Sequence, residues 1–354
     1  MSVFTYANPP VIRWGAGSVA ALGEEVARLG GGRVALVTTR SVAADRPVMD
    51  RVRAALADCP PAVTVTIGQH APVGQVERAT AEVGEAGAGV VVSLGGGSPV
   101  DAAKIVARDV ADRRGQERSL PHVAVPTTLS VAELASGAGF TDASGVKAGR
   151  RDPRMLPDSV IYDAELALST PLKLWLSTGI RALDHAVESF LSPGEHPFSD
   201  VLALEAVRRL FRSLPEAKAR PEDVSVRTEN QLAAWFSYTL TGPTAAGLSH
   251  VMGKQIGARH GIPHGVTSCL LMPHVMRYQA GRQPGRLAAL SQATGSGGGP
   301  LAAADDVAAL IASLGLPRHI AEYGIGEPEL RTAAGELAGQ HAAADLLDIY
   351  LAAL

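Results

Sequence analysis

Two groups of residues in this 354-residue chain have the types and spacing to do chemistry: a triple glycine, and a set of histidines and cations at helical intervals. Leu94-Gly95-Gly96-Gly97-Ser98-Pro99-Val100-Asp101 follows a strongly apolar run and opens a helical pattern. Glycines let a backbone approach an anion closely. A helix N-terminus adds free N–H groups and a positive dipole end. Taken alone, the turn is either a phosphate cradle or a tight strand-to-helix connection. Its place after a buried strand favours the cradle, because open α/β sheets bind ligands at the C-terminal ends of their strands. Pro126-Thr127-Thr128 also ends a strand-like run. Its hydroxyls suit a phosphate or ribose, or equally the cap of a following helix. Trp14-Gly15-Ala16-Gly17-Ser18 reads as a loop in which Ser18 caps a helix over 19–29.

The histidines form a second constellation. A helix is expected from Ser177, with a cap at its start and an apolar stripe of Ile180, Leu183, Val187 and Phe190. Arg181, His185 and Glu188 stand at i, i+4 and i+7 and so share its other face. A second helix carries His250 and Lys254 at i and i+4, and His264 sits at a turn before a helix over 266–278. Any one of these histidines read singly is a surface or core residue. Clustered on two helices and a turn, they point to a site, since histidine serves as metal ligand, proton donor or acceptor near neutral pH. His274 reads as structural. His70, His122, His196, His260, His319 and His341 have no partner at a recognisable spacing.

The elements that must position these groups follow from hydrophobic patterning. Short β-like runs at 34–38, 63–67, 89–94 and 122–125 alternate with helical segments such as 75–86 and 100–110. That alternation predicts a parallel sheet covered on both faces. After one more β-like run, 159–162, the chain reads almost wholly helical, with three- and four-residue apolar spacing at 202–214, 229–240 and 303–314. The expected organisation is an α/β dinucleotide-binding domain over 1–162, Rossmann-like with a parallel sheet, then an all-α substrate and catalytic domain over 163–354. Gly295 to Pro300 reads as a surface loop.

Composition narrows the function. With 32 basic and 35 acidic side chains and no long basic run, a nucleic-acid footprint is not expected. No apolar stretch is long enough for a membrane span, and the first residues do not read as a signal peptide. The 2 cysteines supply neither a disulfide framework nor zinc spacing. A cytoplasmic protein is expected.

These residues also carry a family resemblance. GGGSPVDAAK at 95–104, PTT at 126–128 and GLSHVMGKQIGARHGIPHG at 247–265 resemble, over essentially the whole length, the iron-containing alcohol dehydrogenase superfamily. That superfamily also includes glycerol dehydrogenase and, more distantly, dehydroquinate synthase. The resemblance implies the dehydroquinate synthase-like fold, with an active site in the cleft between two domains, and often a homodimer formed through the N-terminal domain. It makes Gly95, Gly96, Gly97 and Ser98 the pyrophosphate turn, with Asp101 in the next turn and Thr127 and Thr128 at the nicotinamide end. The stretches at 69–73, 126–134, 151–163 and 179–189 are similar to the maleylacetate reductases, which use NADH or NADPH to reduce maleylacetate to 3-oxoadipate.

The departures from that pattern are informative. Metal-dependent members place an Asp four residues before the helix histidine, where this chain has Arg181. Asp184 is next to His185, projects about 100° away around the helix, and is not expected to substitute. A guanidinium has no acceptor and repels a divalent cation, so no catalytic metal is expected at the degenerate set His185, His250 and His264. Lys254 stands where a proton-transferring histidine is usual. Burial beside Arg181 would lower its pKa. Arg181, His185 and Lys254 are therefore expected to bind a small anionic substrate (carboxylate, phosphonate or phosphate), with His250 or His264 moving the proton. Thr39 replaces the Asp that meets the ribose hydroxyls, and Arg40 beside it suits a 2′-phosphate, so NADPH or NADH is expected as cofactor. Three alternatives stay open: a metal-dependent alcohol or aldehyde dehydrogenase, a sugar cyclase, and a fold that has lost hydride transfer.

Overall fold

The computed structural model describes residues 5–194, 196–239 and 247–354. Leu240, the end of one expected helix, lies outside the described residues. The chain divides into two compact units: Ala7–Pro171 with Glu222–Gln231, and Leu172–Pro221 with Leu232–Leu354 and the N-terminal residues.

In chain order the strands are β1 (Val11–Trp14), β2 (Val34–Thr38), β3 (Pro61–Thr66), β4 (Val90–Gly95), β5 (His122–Pro126), β6 (Gly137–Thr141), β7 (Lys147–Arg151) and β8 (Ser159–Tyr162). Among them run α1 (Leu22–Arg28), α2 (Arg40–Ala44), α3 (Arg46–Ala55), α4 (Val73–Glu85), α5 (Gly97–Arg113) and, after β8, α6 (Ala164–Ala167). Six strands form one sheet in the order β1-β8-β5-β4-β2-β3, and every pairing is parallel. Val/Leu-rich β2, β4 and β5 are buried along their whole length, as strands covered on both faces must be. Their alternation divides the core. Ala35, Val37 and Val91 pack with Val76, Val83, Val106 and Val110 of α4 and α5. Val34, Leu36, Val90, Val92 and Val123 pack with Val26, Val48 and Val52 of α1 and α3 on the other face. Each such side chain contributes about 1.5–3 kcal/mol by leaving water.

Several expectations need correction. The sheet has an edge strand, β1, that the patterning did not show. A two-stranded antiparallel hairpin, β6–β7, also interrupts the α/β alternation. Its glycines and charges carry no period-2 apolar signal, so only pairing reveals it. Ser18 is not a cap: its hydroxyl donates to the Tyr162 carbonyl at 3.1 Å. The cap comes from across the chain. The buried Asp163 carboxylate accepts the N–H groups of Gly17 at 3.2 Å and Val19 at 2.9 Å, as well as that of Glu165 at 2.9 Å.

The second unit is helical: α7 (Leu172–Leu191), α8 (Pro197–Ala219), α9 (Val224–Ser237, shared between the units), α10 (Leu248–His260), α11 (His264–Ala280), α12 (Pro284–Thr294), α13 (Ala302–Leu314), α14 (Glu327–Leu337) and α15 (Ala343–Ala352). Helix α7 begins five residues before Ser177. Thr178 therefore lies inside it, its hydroxyl donating to the Leu174 carbonyl at 2.9 Å instead of capping. Met252, Ile256, Leu270, Leu271, Leu330, Leu346 and Tyr350 form a core among α10, α11, α14 and α15. No described helix is long and apolar enough to cross a membrane.

Asp163→Ala strands three backbone N–H groups at once. We expect a loss of about 2–4 kcal/mol in denaturant unfolding, with Asp163→Asn intermediate. An unchanged midpoint for the alanine variant would show that this carboxylate is not the cap.

Candidate functional site

In the α/β unit, the sheet order places a switch point between β2 and β4: the chain leaves β2 to one side and returns through β4 on the other. Open α/β sheets bind ligands outside the strand ends at such a point. Here the ends of the two strands are tied together by Thr38, whose buried hydroxyl donates to the Leu94 carbonyl at 2.8 Å. The glycine turn stands there. Gly95 has φ 135°, and a Cβ on it would lie 2.9 Å from Pro99 Cγ. A Cβ on Gly96 would lie 3.1 Å from Thr128 Cγ2, and one on Gly97 would lie 3.3 Å from Ser130 Oγ. A side chain at Gly95 would therefore force a shift on top of its positive φ, and one at Gly96 or Gly97 would press on a neighbouring side chain. Gly96 is the N-cap of α5 and supplies no side-chain acceptor to its first N–H groups.

The neighbouring residues have distinct partners. Thr127 donates its N–H to the Gly95 carbonyl at 2.8 Å, locking the two strand-end loops together. Among the described residues, the buried Thr128 Oγ1 has no hydrogen-bond partner. Neither threonine caps a helix, since the following 3-10 turn begins at Val131 with no side-chain cap. Thr39 caps α2, its hydroxyl accepting from Val42 N–H at 3.3 Å, and its methyl group would lie 3.9 Å from a Cβ on Gly95. Arg40 is exposed. Asp101 is turned to the hairpin: its carboxylate accepts the Gly139 N–H at 3.0 Å and lies 3.6 Å from Lys104 Nζ. Burial dominates the Asp101 and Lys104 titrations, raising the first and lowering the second against their mutual attraction.

Beneath this turn lies a buried network that sequence reasoning missed. Lys104 Nζ donates to the carbonyls of Ala132 and, at 2.8 Å, Gly137. Tyr162 Oη donates to Glu133 Oε1 at 2.8 Å. Burial pushes the Glu133 carboxyl up from an ordinary 4.5 to about 7.

The helical unit holds the second group. On α7, Arg181, Asp184, His185 and Glu188 are all turned inward. Arg181 Nη1 donates to Ser268 Oγ at 3.1 Å and lies 3.7 Å from Asp184 Oδ2. The Arg181 side chain is only 14% exposed and Asp184 0%. Asp184 Oδ2 also accepts from Ser249 Oγ at 3.0 Å and Ser268 Oγ at 2.6 Å. Asp184 was not expected to contribute. It faces away from His185 but stands three residues after Arg181 and four before Glu188, which puts it on their row.

Glu188 caps α10. Its two oxygens accept the N–H groups of Gly247 at 2.9 Å and His250 at 3.0 Å. A Cβ on Gly247 would lie 2.6 Å from Glu188 Cδ, so only glycine allows this approach. His250 Nδ1 is 2.5 Å from Glu188 Oε2, and His250 Nε2 is 3.3 Å from His185 Nε2. The His185 ring also meets Tyr238 edge-on with centroids 5.1 Å apart. Burial holds His185 and His250 well below the ordinary imidazole pKa. His250 and Arg181 add to this for His185, and Arg181 does for His250. Burial raises Asp184, and the charge of Glu188 adds to that rise. His264 is the first residue of α11, half-buried, and its charge opposes that of His185.

Lys254 does not join this group. It is exposed, contrary to the expected burial beside Arg181. The buried face of α10 runs through Ser249, Gly253, Ile256 and Gly257. The two glycines press on Thr267 of α11, where Cβ atoms would come within 2.8 and 3.0 Å. Residue 254 falls outside that face.

A parallel-sheet unit with a glycine turn at its switch point and a helical unit with buried histidines fit a nicotinamide-dependent oxidoreductase, and the chain's relatives are of that class. The chain belongs to the iron-containing alcohol dehydrogenase family: residues 9–164 match the iron-containing alcohol dehydrogenase model, and 175–345 match the family's C-terminal model. It is 32% identical over 331 residues to maleylacetate reductase of Rhizobium sp. (strain MTP-10005), covering 93% of this chain and 90% of that protein. It is 34% identical over 293 residues to maleylacetate reductase 2 of Cupriavidus pinatubonensis, covering 82% and 78%. The crystal structure of maleylacetate reductase from Agrobacterium tumefaciens superposes with TM-score 0.86 at 28% identity, covering 100% of this chain and 99% of that one.

Between about pH 4.5 and 7, folded Glu133 keeps a proton that the unfolded chain has lost. Stability therefore falls as pH rises through that window and levels off above it. At about 1.4 kcal/mol per pH unit, the fall is roughly 3 kcal/mol. Glu133→Gln, which keeps an acceptor for Tyr162, should flatten the profile in urea melts from pH 4.5 to 8. A parallel profile for the variant would place the fall elsewhere.

Proposed function

We propose that this enzyme uses NADH or NADPH to reduce a carbonyl or a carbonyl-activated alkene in a small carboxylate-bearing substrate of the maleylacetate type, and that Arg181 takes the electrophilic role without a catalytic metal. The observation that carries this reading is the buried Arg181 guanidinium, held by Asp184 and Ser268 within the histidine cluster.

The donor set argues against a divalent ion. His185 and His250 Nε2 lie 3.3 Å apart, close to the separation of about 3.3 Å that two imidazoles on one tetrahedral ion would have. Atoms of Asp184, Glu188 and His250 also lie within 4.8 Å of one another. Yet both Glu188 oxygens accept from the backbone of α10, and Asp184 Oδ2 holds two hydroxyls beside the guanidinium, while among the described residues Oδ1 has no hydrogen-bond partner. Where metal-dependent members offer an anionic ligand, this chain offers a fixed cation, and that substitution is what supports the metal-free reading.

The Gly95–Ser98 turn would hold the pyrophosphate, with Thr127 and Thr128 bordering the nicotinamide. The orphan Thr128 hydroxyl and the crowded glycines support that assignment. The dinucleotide supplies a hydride from C4 of its reduced ring. As the substrate accepts it, the electron pair moves to the carbonyl oxygen, directly or through the alkene as an enolate. Arg181 would stabilise that oxyanion. His250 or His264 would relay the proton that completes the reduction, one ring nitrogen giving it up as the other takes a proton from solvent. Thr39 and Arg40 leave space and charge for a 2′-phosphate.

With maleylacetate as substrate and protein free of added metal, Arg181→Ala should lower kcat/KM about 10²–10³-fold, and chelation should leave the wild type unchanged. Loss of activity on chelation, restored by iron or zinc, would overturn the metal-free reading. Wild-type kcat/KM in the Arg181 variant would remove this residue from the chemistry. Thr39→Asp should depress kcat/KM with NADPH at least about tenfold while sparing NADH. An equal effect on both cofactors would show that residue 39 does not face the ribose.

A further inference from the structure

His70 and Ala71, in the loop after β3, adopt left-handed backbone conformations with φ 63° and 47°, although neither is glycine. Consecutive residues of this kind persist only where the surroundings over-determine them. The surroundings do so here. Thr141, the last residue of β6, donates its hydroxyl to the His70 carbonyl at 3.2 Å and its N–H to the Ala71 carbonyl at 3.3 Å. Ala71 N–H returns to the Gly68 carbonyl at 3.2 Å, and Gly68 N–H donates to Gln75 Oε1 at 2.7 Å. The hairpin that carries Thr141 is itself fixed to α5, through Gly139 N–H on Asp101 at 3.0 Å and Lys104 on the Gly137 carbonyl at 2.8 Å.

The strained turn aims one group at the glycine turn. His70 N–H donates to Ser98 Oγ at 2.9 Å. A hydroxyl that accepts on one lone pair has its own hydrogen left to donate. Among the described residues, Ser98 has no acceptor for that hydrogen, and it stands in the first turn of α5 beside N–H groups without a side-chain cap. The geometry thus presents a hydroxyl hydrogen, alongside backbone N–H groups, to an anion.

We propose that the β6–β7 hairpin braces the strained His70–Ala71 turn so that Ser98 donates to the cofactor pyrophosphate, which makes Thr141 a positioning residue for dinucleotide binding. This rests on the reading of Gly95–Ser98 as the pyrophosphate turn and is independent of the substrate. Thr141 touches no cofactor; it acts through His70 and Ser98. Without its hydroxyl the turn relaxes toward right-handed backbone and His70 N–H leaves Ser98.

The test is a double-mutant cycle on NADH affinity, followed by nucleotide fluorescence in the full-length protein, with thermal melts alongside. Ser98→Ala should raise Kd about tenfold, as loss of a hydrogen bond to a charged group does. Thr141→Val should raise it about threefold to tenfold, and Thr141→Ser should restore it. The Ser98→Ala/Thr141→Val pair should be no weaker than Ser98→Ala alone, because both changes remove one interaction. If Thr141→Val does not fold, Thr141→Ala takes its place in the cycle. An unchanged Kd for Ser98→Ala overturns the pyrophosphate reading itself. Weakening by Ser98→Ala with none from the Thr141 variant, or additive losses in the pair, overturns the brace.

Discussion

Burying a guanidinium beside two imidazoles requires an anion within a few ångströms, and the helical unit is arranged around that requirement. Asp184 supplies the anion one turn along α7, and the hydroxyls of Ser249 and Ser268 hold its carboxylate in place. An unpaired charge at this depth would be far more costly than any single contact around it. Burial holds His185 and His250 well below the ordinary imidazole pKa, and the positive charge of Arg181 adds to that. Neutral imidazoles can pass a proton along the His185–His250 contact, whereas charged ones would repel each other.

Glu188 links that cluster to the architecture. It lies one turn beyond Asp184 on α7, and both its oxygens cap α10. A carboxylate at a helix N-terminus satisfies orphan N–H groups and meets the positive end of the dipole. Because His250 is in the first turn of α10, the cap also sets where the imidazole stands. One side chain therefore stabilises a helix and positions a site residue. The glycine at 247 is the steric condition for both.

The α/β unit solves a comparable problem by different means. Its sheet brings the ends of β2, β4 and β5 together, and the Gly95–Gly97 turn is tight, most of all at Gly95 with its positive φ. Rigidity comes from backbone locks, such as Thr127 N–H on Gly95, and from the Lys104 and Glu133 network below. Two strained places border this turn: His70–Ala71 and the left-handed Val131, with φ 55° in a β-branched residue. Strain of this kind collects at functional sites, where surrounding packing holds it.

By itself, the sequence determined the features that are local. Alternating apolar runs announced β2, β3, β4, β5 and β8, and the glycine run after the most apolar of them marked the switch-point turn. The α7 face shared by Arg181, His185 and Glu188 was legible as well. These depend on periodicities of two and 3.6 residues that any chain must obey. Tertiary structure alone decided the rest. The role of Asp184 emerged only once α10 and α11 brought Ser249 and Ser268 against α7. The exposure of Lys254 followed from which face of α10 could press its glycines on Thr267. The β6–β7 hairpin, poor in apolar alternation, became visible only through its pairing and its ties to Asp101 and His70. Each is a contact between residues far apart in the chain, and no spacing along a sequence encodes such a contact.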